Sequence, residues 1–178
     1  MIRLLRRRGP VAAFAALAMA AGPLVAQQPL PPDQQAEVLL TAARKAHNEG
    51  NLPAATQAYR DLLQKFPNVP QANGARFGLG IVLLNSPDQD FAKAIESLTP
   101  VANDGGSPDR PAAAYYLGVC QRALALKELA KPNNKPAADA KFAEAHRWFA
   151  TARDLYAGAK LDEKAARARC DQMEMELR

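Results

Sequence analysis

Between Ala55 and Phe66 the apolar side chains fall at Ala55, Ala58, Tyr59, Leu62, Leu63 and Phe66, and only a helix can put them all on one side. A 3.6-residue period lines these positions up as a single stripe, whereas the two-residue alternation of a strand would divide them between both faces. The same period recurs along the chain. Residues 34–49 carry Ala36, Leu39, Leu40, Ala43 and Ala46, and residues 71–84 carry Ala72, Ala75, Leu79, Val82 and Leu83. A fourth helix runs from Phe91 through Ala94, Ile95 and Leu98. A fifth, about 111–130, has Tyr116, Leu117, Cys120 and Leu124 on one face. A sixth, about 138–156, has Phe142, Ala145, Phe149, Ala152 and Tyr156, and a last one, 160–177, has Ala166, Cys170, Met173 and Leu177. Much of the 48% hydrophobic content is alanine, which loses no side-chain entropy in a helix. The fold class expected is all-α.

The breaks between helices are equally plain. Gly50-Asn51 ends one helix, and Pro53 suits the first turn of the next. Pro67 and Pro70 bracket a short turn, and Asn85-Ser86-Pro87-Asp88 makes another, with Asp88 or Asp90 as the following cap. Pro100 should kink or stop the fourth helix. Asn103 to Pro108, Lys131 to Pro136 and Gly158 are the remaining breaks. Gln27 to Pro32 reads as an extended linker, and Asp33 as the N-cap that closes it.

The first residues read as an export signal. Arg3, Arg6, Arg7 and Arg8 precede an apolar stretch from Val11 to Val25, and Ala26 supplies a small residue before Gln27. That stretch is shorter than the roughly 20 residues needed to cross a bilayer, and Gly22-Pro23 interrupts it. A twin-arginine reading of Arg6-Arg7 is opposed by Gly9-Pro10, and no cysteine follows to accept a lipid. The expectation is cleavage after residue 26, no membrane span in the processed chain, and a periplasmic or secreted location. Processing also changes the charge. The chain has 23 Lys+Arg against 18 Asp+Glu, but residues 1–26 hold four arginines and no acid, leaving 19 against 18. The sequence pI of 9.4 is therefore a property of the signal. No basic stripe of the kind that binds nucleic acid survives. Cys120 and Cys170, the only cysteines, can pair in an oxidising compartment or pack as small hydrophobes. No Cys-x-x-Cys or Cys/His cluster suggests a metal or redox site.

Aligned by hairpin, the helices repeat a pattern. The first helix of each pair has a small residue at Ala43, Gly80 and Gly118, spaced 37 and 38 apart. The second has an alanine followed four residues later by a large side chain: Ala55/Tyr59, Ala94/Leu98 and Ala145/Phe149. Small residues permit close helix crossing, and large ones fill the groove between hairpins. This pattern resembles the tetratricopeptide repeat. The first unit is similar through Gly50-Asn51-Leu52-Pro53-Ala54-Ala55, Tyr59, Leu62 and Pro67. The second is similar through Leu79-Gly80 and Phe91-Ala92-Lys93-Ala94-Ile95, and the third through Tyr115-Tyr116-Leu117-Gly118 and Phe142-Ala143-Glu144-Ala145. The spacing exceeds the family's roughly 34 residues, and an insertion around Lys131–Ala137 lengthens the third unit. Tyr59 to Pro67 followed by Ala75 to Gly80 is also similar to envelope members of the family, such as the periplasmic Tol-Pal coordinator and outer-membrane assembly lipoproteins.

The resemblance implies a right-handed superhelix of antiparallel hairpins, about three repeats (34–67, 70–102 and 108–157) and a capping helix at 160–177, all within a domain 34–178 that follows the linker 27–33. It also implies a protein-binding concave face lined by the first helix of each pair. The residues expected there are Leu40, Arg44 and His47, then Phe77, Ile81 and Leu84, then Tyr115, Val119 and Arg122. That surface is apolar in its centre with cations at its ends, and it lacks the Lys/Asn arrangement with which some members hold a C-terminal carboxylate. An apolar helix or extended segment of another protein is the occupant expected. Self-packing of the groove by the last helix or the Pro-rich segment is the competing reading, and self-association of the whole module is another.

Catalytic groups are not apparent. His47 and His146 stand singly on helices, Asp88 and Asp90 suit caps, and Gly74, Gly78 and Gly80 follow no strand. Glu144, Asp154, Asp162 and Glu163 read as solvated helix faces. The chain is expected to be no enzyme and to need no cofactor or metal.

Overall fold

Proline or capping residues mark where the first six helices begin. A computed structural model describes residues 29–176, which form α1 (Pro32–Asn48), α2 (Leu52–Lys65), α3 (Gln71–Asn85), α4 (Phe91–Asn103), α5 (Arg110–Leu129), α6 (Lys135–Gly158) and α7 (Asp162–Glu176). The signal reading of residues 1–26 and the place of Leu177 lie outside the described residues. Four helices, α1, α2, α5 and α6, carry proline in their first positions, where its missing N–H would have no partner anyway. Asn51 Oδ1 accepts from the Ala54 amide (3.2 Å), and Asp90 Oδ1 from the Lys93 amide (3.1 Å), each satisfying one orphan donor. At the end of α1, Gly50 takes φ +76° and lets the Asn51 amide reach back to the Ala46 carbonyl at 2.9 Å.

Several boundaries differ from expectation. Pro31 occupies the cap of α1, and Asp33 lies inside its first turn, so the helix begins within the anticipated linker. α4 passes through Pro100 and continues to Asn103. Pro100 leaves the Glu96 carbonyl without its usual helical donor, but Glu96 faces solvent, while Val101 and Ala102 beyond the proline are buried. Burial of that last turn holds the helix together. α6 starts at Lys135, before the end of the predicted polar break, and runs through Gly158. The left-handed turn after it falls on Lys160, at φ +58°, instead of on the glycine.

Successive helices pack against one another across these turns, and α3 also touches α1 and α5. One apolar core runs through all seven helices, with Tyr59, Leu62, Val82, Leu98, Leu117, Cys120 and Phe149 fully buried. Small residues stand where large ones intrude. A Cβ placed on Gly80 would lie 2.6 Å from Leu98 Cγ, and one on Gly118 would lie 2.7 Å from Phe149 Cδ1. The repeat pattern assigns Leu98 and Phe149 to the groove between hairpins, whereas each here meets the glycine of its own hairpin. Gly78 does the same between hairpins, since Tyr59 Cζ would be 2.3 Å from its Cβ.

The last helix turns a different face inward from the one expected. Ala165, Ala168 and Met175 are buried, while Ala166, Cys170 and Met173 are exposed, Met173 by 52%. Alanines on both sides of α7 leave its periodicity ambiguous, and polar contacts settle the choice. Asp171 and Gln172 must face α5 and α6 to reach Tyr115, Arg122 and Arg153. Cys120 is buried and Cys170 exposed, and both are free thiols.

Candidate functional site

Helices α1, α3 and α5 lie side by side and leave a groove between them. One hollow of about 500 Å³ opens between the start of α1, the start of α3 and the 104–109 loop. It shares Arg44, Gly74 and Asp109 with a second, of about 380 Å³, which is floored by Phe77, Ile81 and Tyr116. The second shares Phe77, Asp109 and Tyr116 with a third, of about 340 Å³, bounded by Tyr115, Tyr156, Lys164 and Arg167. Shared walls make the three a continuous channel.

The small size of Gly74 shapes the entrance. A Cβ there would meet Arg44 Nη2 at 3.3 Å and Leu40 Cδ2 at 3.4 Å, so the Arg44 side chain lies over the α3 backbone. From that position the guanidinium partly offsets the upward push that burial exerts on the Tyr59 hydroxyl pKa. Further in, Phe77 and Tyr116 approach with ring centroids 6.3 Å apart, and Tyr116 meets Tyr115 edge-on at 5.6 Å. Tyr115 in turn packs on Phe149 at 5.5 Å, so the aromatic strip in the groove is continuous with the core.

At the far end α7 closes the channel. Tyr115 is 7% exposed, and its hydroxyl donates to Asp171 Oδ2 at 2.7 Å. Arg122 Nη1 donates to Asp171 Oδ1 (3.0 Å) and Glu174 Oε2 (3.2 Å), while its guanidinium carbon lies 5.6 Å from the Phe149 ring centroid. Burial, reinforced by the Asp171 carboxylate, pushes the Tyr115 pKa up to about 12. On the groove side of this closure Arg167 sits over the Tyr115 ring at 5.4 Å and Lys164 over the Tyr156 ring at 5.8 Å.

The nine residues expected on the concave face therefore separate. Arg44, His47, Phe77 and Ile81 come together in the open part of the groove. Leu40 lines the entrance but is itself buried in the core, as is Leu84. Tyr115 and Arg122 are held under α7, and Val119 beside them is half-buried. The competing expectation, that the last helix fills part of the groove, describes this third set. Tyr116, assigned from periodicity to the core stripe of the fifth helix, is half-buried and floors the open part, while its neighbour Tyr115 belongs to the core. Asp109, Lys164 and Arg167 line the channel too, and the repeat pattern contains no signal for them because they depend on where loops and α7 fold back.

Compared with protein-family models and with curated proteins, the chain matches none. Among the described residues no group of three or more His, Cys, Asp or Glu side chains is placed to hold a metal, and no helix is long and apolar enough to cross a membrane. His146 Nε2 lies 2.9 Å from Glu176 Oε1 and 3.1 Å from Gln172 Nε2, a surface tie between α6 and α7. His47, half-buried, lines the channel beside Arg44 and Asn48. The Cys120 thiol is pushed up to about 12 by burial, which makes it a poor nucleophile at neutral pH.

Proposed function

We propose that this chain is an adaptor of tetratricopeptide type: a right-handed superhelical stack of about three hairpins and a capping helix, which holds a segment of another protein and catalyses nothing. The residue pattern supports an exported protein working in the periplasm or outside the cell. One observation carries the reading. Phe77, Ile81 and Tyr116 are half-buried aromatic and aliphatic side chains that floor an open channel, with Arg44 and His47 beside them. A channel of this shape, apolar below and polar at its rim, suits a helix or extended strand that inserts large side chains.

Phe77→Ser and Tyr116→Ser test it. Each should abolish partner capture from a periplasmic extract while shifting the melting temperature only slightly, because both side chains are half-exposed. Unchanged capture with a large melting loss would assign these residues to packing alone. A second reading, self-association, has the exposed Ala166, Cys170 and Met173 of α7 in its favour. Sedimentation of the processed chain across a concentration series separates the two.

A further inference from the structure

The charges around the channel select among segments that its apolar floor would accept. Deepening the adaptor reading, on which this rests, we infer that the bound segment presents a large apolar side chain with a carboxylate on either side of it. The aromatic strip of Phe77 and Tyr116 runs between two sets of cations: Arg44 on α1, and Lys164 with Arg167 on α7. Among the described residues no acidic side chain forms a salt bridge with any of the three. Arg44 acts on the Tyr59 hydroxyl, and Lys164 and Arg167 lie over the rings of Tyr156 and Tyr115. Among the described residues Asp109 is the one carboxylate that lines the aromatic part of the channel. The other acids, Glu37 and Asp104, line the outer mouth instead, where Asp104 already accepts from Asn73 Nδ2 and the Gly106 amide.

Three exposed cations facing one carboxylate, around a floor that removes water when covered, favour an anionic partner. Their placement on opposite walls adds a pattern. A segment lying across the strip meets Arg44 on one flank and Arg167 with Lys164 on the other, with its apolar residue between them. A basic segment would meet repulsion on both flanks, and a wholly apolar one would leave the cations unpartnered beneath it.

Selection from a displayed library of random short peptides, with the full chain as bait, tests this. Peptides enriched on the native chain should carry a large apolar residue between Asp or Glu residues. In anisotropy titrations of a synthetic copy, changing its acids to Asn or Gln should weaken binding about tenfold, and raised salt should do the same. The Arg44→Glu chain should select Lys or Arg on one flank, and Lys164→Glu on the other. Circular dichroism checks that both variants remain folded, and Arg44→Gln with Lys164→Gln provides a milder pair. Enriched peptides without acids, or acids whose removal changes nothing while Phe77→Ser still abolishes binding, would overturn the charge pattern and leave the groove. No enrichment, or binding indifferent to Phe77→Ser, would overturn the groove itself and this inference with it.

Discussion

Replacing Gly118 with alanine tests the packing on which the fold depends. The new Cβ would stand 2.7 Å from Phe149 Cδ1 and Cε1 and 3.0 Å from Cγ, closer than non-bonded carbons tolerate. The ring would have to withdraw by roughly an ångström to restore ordinary contact. Phe149 is 0% exposed, with Tyr115 at 5.5 Å and Arg122 at 5.6 Å, so any movement of the ring disturbs the groups that seat α7. Overpacking of this kind costs about 1–3 kcal/mol. Alanine recovers about 1 kcal/mol of helix propensity over glycine. The net expected loss is therefore about 0–2 kcal/mol, or a melting temperature lower by up to roughly 8 °C for a domain of this size. Thermal melts followed by circular dichroism measure it. A double-mutant cycle with Phe149→Leu makes the test specific: the smaller side chain costs stability alone but should relieve the clash, giving a favourable coupling of about 1 kcal/mol. Gly158→Ala is the control, because its Cβ would meet nothing within 4 Å and the propensity term should appear unopposed as a small gain. A Gly118→Ala variant more stable than the parent, or a coupling near zero, would refute the close-crossing account.

Other outcomes follow from the same contacts. Tyr115→Phe deletes the hydroxyl bonded to Asp171 and should cost about 0.5–1.5 kcal/mol, read from urea melts. Asp171→Asn, which also weakens the Arg122 pair, should raise hydrogen exchange in residues 162–176 well before it does so in residues 71–103. Stability should fall in alkali. Tyr115 rises from 10.0 to about 12 and Cys120 from 9.0 to about 12 on folding. The fold thus holds their protons longer than the unfolded chain does. Their contribution is complete below the lower values and is lost as pH climbs through about 12, which melts across a pH series will show. Cys170 should react with a thiol reagent in the native state, and Cys120 only on unfolding, as mass spectrometry of the modified chain can verify.

The adaptor reading also accounts for where the groove stops. Some concave surface that the repeat pattern would give to a partner is taken by α7, whose Asp171 and Glu174 both pair with Arg122. What stays open is the part in which the cations of α1 and α7 face each other across exposed aromatic edges. A single helix thereby both covers Tyr115 and Arg122 and supplies one wall of the channel.

Much of this molecule is legible one residue after another. Helix period, proline and asparagine caps, and the glycine breaks are local effects with ranges of a few residues, and they define seven helices within narrow error. The recurrence of small residues at Gly80 and Gly118 and of large ones at Leu98 and Phe149 is legible as well, but that each glycine meets the large residue of its own hairpin is decided only in the folded chain. The rest depends on contacts between positions far apart. Pro100 reads as a break until burial of Val101 and Ala102 outweighs one missing hydrogen bond. The inward face of α7 has equal claimants while alanines stand on both sides, and Asp171 decides it only by reaching Tyr115, a partner 56 residues away. The same contact sends Tyr115 into the core and leaves Tyr116 to face the groove. Periodicity ranks the faces of a single helix, but the neighbour each face meets is settled by long-range packing and charge, which only the folded chain brings together.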